Sequence, residues 1–151
     1  MPEESWQRGR GRLGVLAPLL GAWVAEGESE AGHYRCERRF ARALHGTYIE
    51  LRAEWRLPGH DYNEVALHGH GPDGALRFWS FTSDGHQASG WRVEPDDLPH
   101  PGVAFEADLP AGRARYAYMA APDGDLLYVV ESRTARGWNR FVEHRYARLD
   151  G

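Results

Sequence analysis

From Trp23 to Leu149 the chain alternates apolar and polar residues with a period of two, in runs of strand length separated by turns of Gly, Pro, Asp and Asn. These runs predict ten strands, over residues 22–29, 33–43, 47–57, 63–70, 75–83, 87–94, 102–109, 113–120, 126–134 and 139–149. The third is the clearest. Ile49, Leu51, Ala53, Trp55 and Leu57 share one face, while Tyr48, Glu50, Arg52, Glu54 and Arg56 share the other. That is the signature of an antiparallel sheet with one dry and one wet side. The fifth strand, Leu76-Arg77-Phe78-Trp79-Ser80-Phe81, carries aromatics on both faces. Its outer side calls for cover, and contact with a second subunit, hence a homodimer, is the expected source.

The connections agree with this reading. Pro72-Asp73-Gly74 and Pro122-Asp123-Gly124 combine a residue that fixes φ with one that accepts positive φ, so both read as hairpin tips. Residues 95–101, with three prolines, cannot donate a continuous ladder and read as a loop. No long amphipathic helix follows the strands, which argues against a parallel α/β sheet. Many short strands at steady spacing fit a sandwich or a barrel, and closure into a barrel removes exposed edges. Gly21-Ala22-Trp23 opens the first strand and suggests a Trp plug at one barrel end. Ahead of it, Leu13, Val15, Leu16, Leu19 and Leu20, broken by Pro18, predict a short helical or turn cap. The expected organisation is a flexible tail over residues 1–12 and one all-β antiparallel barrel over 13–151.

Composition narrows the function classes. At 151 residues the chain suits one domain, and six Trp, seven Tyr and five Phe favour β-rich packing. A net charge of -4 offers no basic field for nucleic acid or acidic membranes, so neither is an expected partner. One cysteine rules out an internal disulfide framework. With no secretion-type leader and no apolar run of membrane-spanning length, a cytoplasmic location is expected.

Candidate chemistry is sparse. Gly9-Arg10-Gly11-Arg12-Leu13-Gly14 matches the dinucleotide pattern Gly-x-Gly-x-x-Gly, but no strand can precede it, so no nucleotide site is expected. His68-Gly69-His70 places two imidazoles on one strand face without a third or fourth ligand at metal spacing, and reads as solvent-facing; no metal site is expected. His33, His45, His60, His86 and His100 fall at strand ends or loops and read as surface residues. No nucleophile elbow surrounds Ser132, Cys36 reads as a half-buried strand residue, and the carboxylates form no acid and base pair, so no catalytic residue is assigned. The charges Glu50 to Arg56, with Glu131, Arg133, Arg140, Glu143 and Arg145, read as cross-strand ion pairs on the exterior. The alternative is that some line the interior and hold an anion through Arg forks. His144 lies well inside the last strand, alternating with Val142 and Tyr146. If that face points inward, an imidazole stands where an axial haem ligand would be useful; a hydrogen-bonded or outward His is the commoner arrangement.

Three stretches resemble landmarks of one family: Leu16-x-x-Leu19-Leu20-Gly21-x-Trp23, Ala43-Leu44-His45-Gly46-Thr47-Tyr48-Ile49 and Phe78-Trp79-Ser80-Phe81-Thr82-Ser83-Asp84-Gly85. They look like a bacterial lipocalin-like domain of unknown function, similar to nitrobindin, a calycin-type ten-stranded barrel that binds haem. The resemblance spans nearly the whole chain. Nitrobindins carry an axial His near the carboxyl terminus, followed by Leu, a variable residue and Ala. Here His144-Arg145-Tyr146-Ala147-Arg148-Leu149 keeps the His, the Ala and a final Leu, with Arg145 at the first Leu position. After the Trp, Val24-Ala25-Glu26-Gly27 retains one Gly of that family's glycine-rich stretch. The resemblance implies His144 as the cofactor-binding residue and, as in lipocalin-like barrels, Trp23 stacked under Arg145 or Arg148. Where haem is bound, it implies a peroxynitrite isomerase-like enzyme acting on nitric oxide or peroxynitrite.

The residues themselves require no cofactor. They point to a calycin-like barrel that binds a small hydrophobic or aromatic molecule in a pocket walled by Trp55, Phe78, Trp79, Phe105, Tyr116 and Tyr118. Which of the adjacent Phe78 and Trp79 faces inward is left open by the sequence. A barrel filled by its own side chains, serving subunit or partner contact, is the remaining reading.

Overall fold

The computed structural model describes residues 6–149. Ten strands follow a 3-10 turn at Gly14–Leu19: β1 (Gly21–Ser29), β2 (Gly32–Ala43), β3 (Tyr48–Leu57), β4 (His60–His70), β5 (Leu76–Thr82), β6 (Gln87–Val93), β7 (Gly102–Leu109), β8 (Gly112–Ala120), β9 (Leu126–Thr134) and β10 (Gly137–Arg148). Each strand pairs antiparallel with its sequence neighbours, and β1 meets β10, so the sheet closes into an all-β calycin-like barrel. The closing seam is short. Its ladder holds only Trp23 to Arg148 and Val24 to Ala147, near the end where β1 begins.

Alternation decides what lies inside. Cys36, Phe40, Ile49, Leu51, Ala53, Ala66, Phe78, Phe105, Tyr118, Tyr128 and Tyr146 are buried in one core cluster or against it. Cys36 is fully buried rather than half-buried, because it alternates with Phe40 on the inner face of β2. Beneath them the 3-10 turn buries Leu16 and Leu19 and closes one end. The Trp23 indole N–H donates to the Leu19 carbonyl at 2.9 Å, which ties the plug to the cap. Of the expected tail, residues 1–5 lie outside the described residues. Beyond them Trp6 is tied down, its indole N–H donating to the Val15 carbonyl at 2.6 Å.

A bulge in β10 resets its faces. The register steps from Arg140 opposite Glu131 to Val142 opposite Val130, leaving Phe141 without a partner and exposed. Trp138 and Arg140 consequently lie on the outer side, whereas Val142, His144 and Tyr146 turn inward. The charges read as exterior ion pairs do lie outside, and one group of them is buried there. Glu131 receives Arg115 at 2.7 Å and Arg140 at 3.2 Å, with Asp97 bound to Arg115 at 2.9 Å. Trp138 covers the Arg115 guanidinium at 4.7 Å. Next to this network Leu98, from the loop after β6, packs on Ala104, Ala117, Met119 and Val129. The loop read from its prolines thus covers the outer face of β7 to β9.

Among the described residues no helix is long and apolar enough to cross a membrane.

Candidate functional site: an aromatic cavity in the barrel

The inward face does not fill the barrel. A cavity of about 570 Å³ opens between the β5–β6 and β7–β8 turns, with Thr82, His86, Gln87, Leu109, Pro110 and Ala111 at its rim. These turns lie at the end opposite the 3-10 cap, so the barrel has a closed base and an open mouth. Five of the six residues expected to form the wall do so: Trp55, Phe78, Phe105, Tyr116 and Tyr118. Trp79 does not. It occupies the outer face of β5 and packs edge-on against Tyr48, with ring centres 6.3 Å apart. Phe78 takes the inner face by strict alternation with Leu76 and Ser80.

The wall rings brace one another. Phe78 meets Phe105 and Tyr116 edge-to-face at 5.6 and 5.5 Å, and Tyr118 stacks on Tyr128 at 4.6 Å. Gly90 makes room for this arrangement, since a Cβ there would press into the Phe78 ring and the Glu106 carbonyl. A pre-formed apolar surface of this kind needs little reordering to receive a ligand.

Polar groups are few and mostly deep. Ser80 donates to Glu64 at 2.7 Å on the cavity wall. Arg38 is 2% exposed, its Nε donating to the Tyr146 hydroxyl at 3.0 Å and its Nη1 to the Tyr118 hydroxyl at 2.9 Å. The Arg38 guanidinium carbon also lies 4.3 Å from the centre of the Tyr128 ring. Sequence reasoning passed over Arg38 because it stands in a charged run, Arg35-Cys36-Glu37-Arg38-Arg39. Its alternation with Cys36 and Phe40 was the available signal.

His68 corrects the expectation of a solvent-facing pair. It is 4% exposed and on the cavity wall, with Nδ1 3.3 Å from the Ile49 carbonyl and its ring among Phe40, Phe78 and Phe105. Burial pushes its pKa down to about 4, against a weaker opposing pull from the Ile49 carbonyl and Glu64, so it is neutral at pH 7. His70 shares that strand face at its end and is half-buried. No group of three or more His, Cys, Asp or Glu residues able to hold a metal ion occurs among the described residues.

His144 faces inward, opposite Tyr128 in the β9–β10 ladder. Burial, then the positive charge of Arg38, lowers its pKa, and its buried Nδ1 has no hydrogen-bond partner. A neutral imidazole with an unsatisfied nitrogen suits metal coordination. The space beside it is taken. The Trp55 and Tyr34 rings meet it edge-on at 5.1 and 5.4 Å, and Tyr34 also covers Gly27 across the first hairpin. A macrocycle on His144 would need the volume those two rings occupy.

The predicted stack at the closed end is present, through Arg148 and not Arg145. The Arg148 guanidinium lies 4.1 Å from the centre of the Trp23 ring system. Arg145 points outward to Asp123 and Asp125, at 2.6 and 3.2 Å.

No family model matches the chain. It is 29% identical to a protein named peroxynitrite isomerase from Mycobacterium sp. (strain KMS), in a gapped alignment of 167 positions that covers 89% of this chain and 69% of the relative. The same figures hold for peroxynitrite isomerase 2 from Mycobacterium sp. (strain JLS). Among solved structures, Rv2717c from M. tuberculosis superposes with a TM-score of 0.57 at 16% identity, covering 91% of this chain and 97% of that one. That likeness is one of fold. Taken with the mycobacterial relatives, the closed ten-stranded architecture fits a nitrobindin-like calycin barrel.

Proposed function

We propose that this protein is a nitrobindin-like barrel that binds a small molecule with an apolar or aromatic body. The observation that carries the reading is the cavity of about 570 Å³ walled by braced aromatic rings and open at one end. A cavity of that size lies within the range of small-molecule sites. It also weighs against a barrel filled by its own side chains. The neutral fluorophore N-phenyl-1-naphthylamine tests the reading. It is expected to brighten on binding, and Ala88→Phe, which places a ring in the cavity behind the mouth, is expected to weaken binding at least about tenfold, a loss that occlusion of an apolar site readily produces. Binding unchanged by Ala88→Phe would place the dye elsewhere.

The name borne by the mycobacterial relatives supports a second reading, activity on peroxynitrite, to which the resemblance to nitrobindin adds haem held by His144. The inward, neutral-leaning imidazole favours it. As arranged, the surrounding residues do not fit a haem, because Tyr34 and Trp55 fill the space beside His144. Titration with haemin distinguishes the two readings. A Soret shift abolished by His144→Ala supports the haem reading, and an unchanged free-haemin spectrum removes it.

A further inference from the structure

An apolar-ligand role leaves Arg38 unexplained. Its guanidinium is permanently charged and 2% exposed, and it stands on the wall of the cavity. Two phenol oxygens and the face of Tyr128 ease that charge without neutralising it. Glu64, which stands at the same level of the barrel beyond Ala53, also eases that charge through space, but it is engaged by Ser80 and makes no ion pair with Arg38 among the described residues. A buried charge without an ion-pair partner is costly, and Arg cannot escape the cost by losing its proton.

The donors left over define what would compensate it. Arg38 spends Nε and Nη1 on Tyr146 and Tyr118, while Nη2 makes no hydrogen bond among the described residues. The Tyr118 hydroxyl accepts from Arg38 and donates to no described residue, and burial keeps that phenol protonated. Nη2 and the Tyr118 O–H are thus two unused donors on one wall, beside a full positive charge. The surface leading from them to the mouth offers an apolar face of Phe78, Phe105, Tyr116 and Val130, with Glu64 and Ser80 as its polar exceptions below the rim.

We infer that Arg38 and Tyr118 form a carboxylate subsite inside the barrel, and that the ligand is an apolar carboxylic acid bound as its monoanion. The acid group lies at Arg38 and the hydrocarbon or aromatic body extends toward the mouth. Glu64 on the same wall disfavours a second negative charge on the ligand. This inference rests on the cavity being a ligand site.

Displacement of N-phenyl-1-naphthylamine by decanoate and by decan-1-ol at pH 7.5 tests it, since the two competitors share a chain and differ in charge. The wild-type protein is expected to prefer decanoate by about tenfold or more, the scale of a charge-assisted hydrogen bond. Arg38→Met should bring the ratio close to one while retaining the dye. Tyr118→Phe, which keeps the packed ring, should reduce the preference about threefold even if Arg38→Met does not fold. Equal displacement by acid and alcohol in the wild type overturns the carboxylate subsite and leaves the apolar cavity standing. If the dye itself does not bind, the ligand-site reading falls and the subsite with it.

Discussion

Arg148 and Trp23 join the first and last strands at the one place where the barrel closes. The guanidinium lies 4.1 Å from the indole centre, and its Nη1 donates to the Leu20 carbonyl at 2.7 Å. The two residues also face each other in the short β1–β10 ladder. Closure therefore depends on few contacts. Trp23→Ala is expected to cost about 3–5 kcal/mol, as for a large buried ring, and Arg148→Ala on the order of 1 kcal/mol. Urea unfolding of both variants checks the ranking. Gly21→Ala should be damaging as well, because φ there is 120° and a Cβ would strike the Arg148 side chain.

His68 makes stability fall in acid. Its folded pKa, about 4, lies below the ordinary value of 6.5, so the unfolded chain binds a proton more readily than the native one. The stabilising effect of a neutral His68 is complete above about pH 6.5 and is lost as pH falls toward 4, on the order of 3 kcal/mol in all. The half-buried His144, shifted the same way, adds to the slope. Unfolding free energies measured from pH 7.5 to pH 4 should decline, and His68→Phe should flatten that decline. An equal slope in wild type and variant would show that His68 does not carry it.

The buried ionic network on the outer face predicts a different loss. Arg115 and Glu131 have side-chain exposures of 5% and 7%, and Asp97 reaches Arg115 from the loop after β6. Glu131→Leu leaves Arg115 with Asp97 alone and strips Arg140 of one partner. The expected cost is about 3 kcal/mol, because the buried Arg115 then keeps only the exposed Asp97 against its charge. Hydrogen exchange in residues 94–101 should accelerate in the same variant. Unchanged exchange would show that Leu98 alone anchors the loop.

Much of the barrel was legible because one face of most strands is dry and the other wet, and a period of two then reports orientation directly. β3 is the example. The reading weakened where both faces are covered. Phe78 and Trp79 are adjacent aromatics, and only the sheet register, with Tyr48 available to cover the outer side, separates wall from exterior. His68 looked exposed beside Gly69 and the following turn, yet its ladder partner is Ile49, an inward residue. Arg38 was hidden for the opposite reason. A run of charges suggested solvent, although alternation with Cys36 and Phe40 sent one of them inside. The β10 bulge could not be read from local pattern, since it depends on how Glu131 and Val130 pair across the hairpin.

Amide NMR spectra recorded during titration with N-phenyl-1-naphthylamine test the central claim, that the barrel interior is a ligand site, most directly. Saturable shifts concentrated at Leu51, Ala66, Ala88 and Phe105 are the predicted result, with Ala104, Ala117 and Val129 on the outer face of β7 to β9 unmoved. Shifts confined to that outer face, or none at all, would contradict it.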